Sequence, residues 1–240
     1  MTLLASAKEF LVEALADYAK GKRSFAVVHA VTSAELVLKE RLARIHPHLI
    51  FEKIDALNFQ NERTVALRHL PQRLVNLGVV IEPREVKLIQ QFADWRNQIV
   101  HHLPAFDSRT LEVQLPQLLD FLASFMRREL GTLLEEVLPK DLYRTAKDVL
   151  TEWQRVVGEA QSRANAEGQV LMEECPFCGV SHVLFLRKES DVYCHLCEVR
   201  GYWYGECEHC GRHVVSNYSD FDERMICDTC LDAYAESYAV

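Results

Sequence analysis

The sequence predicts an α+β protein by domains: an all-α bundle followed by small cysteine-built β modules. Three observations carry that reading. All eight cysteines of the 240-residue chain lie beyond residue 174. The first two-thirds is rich in Leu, Ala, Glu, Lys and Arg at helical spacing. No run of eighteen apolar residues occurs, so the sequence predicts no membrane span and no membrane partner.

The helical region divides into five or six segments. Residues 3–20 align Leu4, Ala7, Leu11, Ala14 and Tyr18, and Gly21 can end the helix. Residues 23–45 align Val28, Val31, Leu38 and Leu42. The stretch 46–62 reads as a loop with a short turn, and 63–77 as a third helix ending near Gly78. Pro83 suits the first turn of a fourth, running to about His102 before Pro104. A fifth starts near Ser108, carries Leu115, Leu118, Leu122, Phe125 and Leu133, and fades near Pro139. A sixth covers 140–160 with Leu142, Ala146, Val149, Trp153 and Val157. The stretch 159–169 ("EAQSRANAEGQ") loses its apolar period and reads as a fraying helix end and linker. Short connections favour an antiparallel bundle over residues 1–165.

Beyond the linker stand four Cys-x-x-Cys pairs: Cys175/Cys178, Cys194/Cys197, Cys207/Cys210 and Cys227/Cys230. Fifteen residues separate the first two pairs and sixteen the last two, the spacing of a four-thiolate zinc site used twice. Each such turn points two sulfurs at one ion, and Gly179 and Gly211 follow two of the turns where positive φ is useful. Two structural Zn2+ ions per chain are expected, in modules over 171–201 and 203–235. Modules of about 35 residues cannot bury enough surface to fold alone, and structural zinc contributes on the order of 10–16 kcal/mol. Sequential pairing of the turns is simplest; first with third and second with fourth is the open alternative. His182, His195, His209 and His213 read as surface or supporting residues. Tyr202, Trp203 and Tyr204 read as ribbon core or interface, with base stacking as the alternative.

Charge narrows the function. The net charge is −8; residues 169–240 carry 5 Lys/Arg against 13 Asp/Glu, which leaves residues 1–168 neutral. A polycationic nucleic-acid surface is excluded, so any phosphate contact must be local. The amphipathic start "MTLLASAKEFLVEALADYAK", with Lys8, Glu9, Glu13 and Asp17 inside its apolar pattern, argues against a signal peptide. The expected location is therefore cytoplasmic, where thiols stay reduced.

The local candidate is "ADWRNQIVHHLP" (93–104). Arg96, Asn97, His101 and His102 crowd within two turns. Asn97 and His101 are four apart and share a helix face, and the Arg96 side chain can reach across about 100° of helix surface. Capping of the last carbonyls is the plain alternative. A second feature is Glu35, which interrupts the apolar stripe of residues 23–45. A carboxylate there needs a partner, either Arg96 or Lys39 four residues on.

"RNQIVH" (96–101) resembles the Arg-x4–6-His motif of HEPN domains, including the Asn after the Arg. "AVVHAVTSAELVLKERLARI" resembles the second helix of that family and contains Glu35. The resemblance covers roughly residues 1–130. It implies an all-α domain, a homodimer with both motifs facing one cleft, and a metal-independent endoribonuclease acting on RNA in phage defence or toxin–antitoxin growth control. An antitoxin or defence-system protein is then an expected partner. On this reading Arg96 and His101 are catalytic, Asn97 supports them, Glu35 orients, and His102 is the alternative base. Leu103 stands where some members carry a modified Tyr, so the resemblance does not extend to that control. The competing function is a non-catalytic scaffold or sensor that engages a protein or nucleic-acid partner through its zinc ribbons.

Overall fold

The computed structural model describes residues 2–55, 59–102, 108–188, 191–198, 200–217, 226–227 and 230. The expectations about Leu103 and Pro104, and about the side chains of His102, Tyr202 and Trp203, lie outside the described structure. The chain divides into two compact units, Met1–Trp153 and Gln154–Val240.

The first unit holds α1 (Leu3–Ala19), α2 (Arg23–Ile45), α3 (Leu70–Asn76), α4 (Pro83–His102), α5 (Ser108–Phe125), α6 (Leu134–Val137) and the start of α7 (Lys140–Ala166). Thr2 caps α1 by accepting a hydrogen bond from the Ala5 amide, satisfying one of the donors that a helix start leaves unpaired. Gly21, at φ 74°, lets the chain reverse into α2. Ten of the 23 residues of α2 are buried, so it is the central helix, packed against α1, α4 and α5. Its neighbours supply Leu11 and Leu15, Phe92 and Trp95, and Leu115, Leu118, Leu119, Leu122 and Phe125 to one core. No helix among the described residues is long and apolar enough to cross a membrane.

Within residues 1–139 two helices differ from the sequence expectation. Residues 63–66 are not helical: Thr64 pairs with Phe51 in an isolated antiparallel bridge, and helical turns start only at Leu67. The expected fifth helix breaks. Its end is a π-helical turn (Met126–Leu130) closed by Gly131 at φ 63°, which leaves Leu133 exposed, and α6 begins afresh.

The second unit opens with the last turns of α7. Helix continues through most of the expected linker because Ala160 and Ala164, four apart and both fully buried, form a small-residue stripe. Gln161 Nε2 donates to the Ser181 carbonyl, and Arg163 Nη2 to the His195 carbonyl at the long limit of 3.5 Å. Among the described residues five antiparallel strands follow: β1 (Val170–Leu171), β2 (Leu184–Lys188), β3 (Asp191–Cys194), β4 (Arg200–Glu206) and β5 (His213–Asn217). They pair in chain order as one sheet. β4 pairs with both β3 and β5 (Val192 opposite Tyr202, Tyr204 opposite Val215), so the two cysteine modules share one continuous ladder.

Candidate functional site

Two kinds of site stand out, a charged cluster in the first unit and two cysteine cages in the second.

The charged cluster forms where α4 crosses α2. Trp95 is buried and packs edge-on to Phe92 with ring centroids 5.6 Å apart, which fixes the rotation of α4. The next residue, Arg96, then meets α2: its Nη1 donates to Glu35 Oε2 at 2.8 Å. Lys39 Nζ donates to the other oxygen, Oε1, at 2.5 Å, and to Thr64 Oγ1 at 2.9 Å. Both sequence candidates therefore bind Glu35, one on each oxygen. Depth is graded across the cluster. The Lys39 side chain is 7% exposed, Glu35 17% and Arg96 38%, so only the guanidinium reaches solvent substantially. Two cations around one carboxylate leave one positive charge over, at the exposed end.

Asn97 and His101 are exposed on the same helix, beside Val100, which is also exposed. Asp94 lies on their face, three residues before Asn97, and pairs with Arg68 from the turn preceding α3. Sequence reasoning missed Thr64 and Arg68, since both come from a segment read as plain helix. The structure thus unites Arg96 with Glu35 and places Asn97 and His101 at exposed positions along α4.

The cages settle the pairing left open by the sequence. Cys175, Cys178, Cys194 and Cys197 form one group and Cys207, Cys210, Cys227 and Cys230 the other, with sulfurs in each within 4.8 Å of one another. No disulfide joins any of the eight. Sulfur separations are 3.8 Å for Cys175–Cys197 and Cys178–Cys194, and 3.7 Å for Cys210–Cys227. Metal–sulfur bonds of about 2.3 Å put the corners of a tetrahedron about 3.8 Å apart, so both cages fit one four-coordinate ion each.

The knuckles are built locally. The amides of Gly179 and Gly211 donate to the carbonyls of Cys175 and Cys207, at 2.7 and 2.8 Å, with φ 67° and 70°. The second knuckle makes the same turn without glycine: Glu198 takes φ 58° and donates to the Cys194 carbonyl. Amides also reach sulfur, from Cys197 to Cys194 and from Cys227 to Cys207. Hydrogen bonds from Cys175 and its other two neighbours hold the Cys194 thiol well below the usual range. Their counterparts push Cys178 and Cys197 up, with Cys175 the largest contributor to each. In the second cage the Cys227 amide brings Cys207 down to about 6, while hydrogen bonding with Cys227 raises Cys230 to about 12. Left to hydrogen bonds alone, each cage thus favours thiolate at one sulfur and thiol at others. A divalent cation makes all four thiolates favourable together.

None of the four histidines beside the knuckles joins a cage. His195 is buried, stacks on Phe185 (centroids 4.8 Å) and lies 3.2 Å from Glu167; His213 stacks on Tyr204.

Compared with models of protein families, with curated proteins and with solved structures, the chain matches none. The functional reading therefore rests on the residues themselves.

Proposed function

We propose that the protein is a metal-independent endoribonuclease of the HEPN type, acting as a cytoplasmic homodimer in phage defence or toxin–antitoxin growth control, with Zn2+ as the structural ion of both cages. The observation that supports it most is the graded Lys39–Glu35–Arg96 cluster. It holds a guanidinium half in solvent, in a cluster of two cations and one carboxylate, on the helix that also exposes Asn97 and His101. A guanidinium so held suits a phosphodiester, whose charge grows as a nucleophile adds.

In the proposed reaction a histidine imidazole, whose unperturbed pKa lies near ~6.5, takes the proton of a ribose 2′-hydroxyl. The 2′-oxygen attacks phosphorus, the bond to the 5′-oxygen breaks, and a second imidazole gives that oxygen a proton. The products are a 2′,3′-cyclic phosphate and a 5′-hydroxyl. Arg96 binds a non-bridging oxygen and Asn97 orients His101 or the phosphate. One histidine cannot be base and acid in the same step, so two copies of α4 facing across a two-fold axis supply the pair. Zinc closes the cages and takes no part in any step.

Cleavage of RNA by the full chain, followed with and without His101→Ala, tests this reading. Wild type is expected to cut RNA, to spare a strand with 2′-deoxyribose at the cut position, and to be dimeric by light scattering. His101→Ala should lose about two orders of magnitude or more, and His102→Ala much less. A wild type that cuts no RNA, or a His101→Ala variant that cuts as well, would overturn the proposal.

A further inference from the structure

We infer that Lys39 is a positioning residue for Arg96, acting through Glu35 and anchored by Thr64. The inference deepens the ribonuclease reading, although its structural half does not depend on RNA being the substrate.

A lysine ammonium in a helical core is costly to desolvate, and Lys39 is 6% exposed as a whole residue. An interior lysine in α2 needs strong acceptors, and it has two. Glu35 Oε1 is one turn back on the same helix, and Thr64 Oγ1 comes from a separate segment. That segment is itself fixed. Thr64 forms the bridge to Phe51, the Val65 amide donates to the Ile50 carbonyl, the Glu52 amide donates to the Arg63 carbonyl, and Val65 is buried. Lys39 is thus tied to two elements at once.

Two consequences reach Arg96. Glu35 has one carboxylate oxygen occupied by the ammonium and the other by Arg96 Nη1. With both oxygens engaged, the carboxylate is pinned and the guanidinium has one docking geometry. The second consequence is charge. A lone Glu35–Arg96 pair would be neutral and would compete with a phosphate for the arginine. Lys39 supplies the charge that balances Glu35, which leaves that of Arg96 for an anion. Arg96 is the part of this chain of contacts that solvent can reach, and Lys39 the part that it cannot.

The test uses the full chain with arginine side chains labelled by 15N, and compares wild type with Lys39→Met, Thr64→Val and Lys39→Arg. Thr64 is exposed, so its variant should fold whether or not Lys39→Met does. The spectroscopic readout is the mobility of the Arg96 Nε–H vector. It should be low in wild type, raised in Lys39→Met and Thr64→Val, and partly restored by Lys39→Arg. The kinetic readout is cleavage of a short RNA. Thr64→Val keeps the charge and loses the anchor, so kcat should fall about tenfold with KM little changed. Lys39→Met loses both, so kcat should fall tenfold to a hundredfold and KM should rise, by the usual cost of a misplaced group. Unchanged Arg96 mobility in both Thr64→Val and a folded Lys39→Met would overturn the inference, even if RNA is cut. Raised mobility in a protein whose wild type cuts no RNA would uphold the positioning role and sink the ribonuclease reading alone.

Discussion

The two cysteine cages have near-identical spacing and unequal surroundings. In the first, Cys175, Cys178, Cys194 and Cys197 are all buried; in the second, Cys210 is exposed and Cys230 partly so. The described residues of the two modules also differ in burial. In the module of the first, Leu171, Val183, Leu184, Phe185, Val192 and Leu196 are buried, His195 stacks on Phe185, and Gln161 of α7 donates to the Ser181 carbonyl. The second follows β4 directly and rests on the β4–β5 ladder, where Val214 and Val215 are at most half-buried. Ligand spacing decides whether a metal fits; packing around the ligands decides how readily water and chelators reach it. The first unit repeats the contrast on a smaller scale, with Lys39 buried and Glu35 partly buried beneath a half-exposed Arg96.

The largest effect should come from breaking the buried cage. Cys178→Ser should lower metal content from two ions per chain to one and remove amide protection from β1–β3 and the last turns of α7, by hydrogen exchange. Cys210→Ser should also lose one ion but leave that protection in place. Equal collapse in both variants would show that the cages are alike.

The comparison sharpens kinetically in the intact protein. Under a chelator in excess, the two ions should leave in two phases, the exposed cage emptying about tenfold or more sooner, the usual scale of surrounding-residue effects on metal binding. Native mass spectrometry would read this as an accumulating one-metal species. A single concerted phase would contradict it.

In the first unit the contrast predicts an asymmetry of stability. Glu35→Ala strands a buried ammonium and should cost about 3–5 kcal/mol in denaturant unfolding. Arg96→Ala removes a partly solvated partner and leaves Glu35 held by Lys39, so it should cost about 1 kcal/mol or less. The smallest effect is at Glu198, whose left-handed backbone the other two described knuckles give to glycine. Glu198→Gly should stabilise the first cage module by about 0.5 kcal/mol, relief of backbone strain offset by the added chain entropy of glycine.

How much of this was legible beforehand follows the range of the forces involved. The knuckles could be read because a Cys-x-x-Cys turn is made by neighbouring residues. Which turns share an ion could not, because a tetrahedron closes through space. Helices α1, α2 and α4 were bounded closely, since Gly21 and Pro83 punctuate them. The tail of α7 was misread as linker because its buried stripe is alanine, too small to stand out as an apolar period. The break after α5 is set by Gly131, which was passed over inside a run of leucines. Of the charged cluster, Glu35 announced itself by interrupting a stripe, and Arg96 and Lys39 followed as its candidates. Thr64 gave no signal: its role depends on a bridge to Phe51 that no periodicity marks.

The central claim is that RNA is cut by the arginine and histidine of α4 while metal only shapes the cages. Its most direct test is cleavage of a short RNA by the protein before and after a chelator has removed one of the two ions. The account predicts equal single-turnover rates and the same 2′,3′-cyclic phosphate end in both samples, with loss of cleavage only on His101→Ala. Cleavage that falls in step with the departing metal, or that survives His101→Ala, would contradict it.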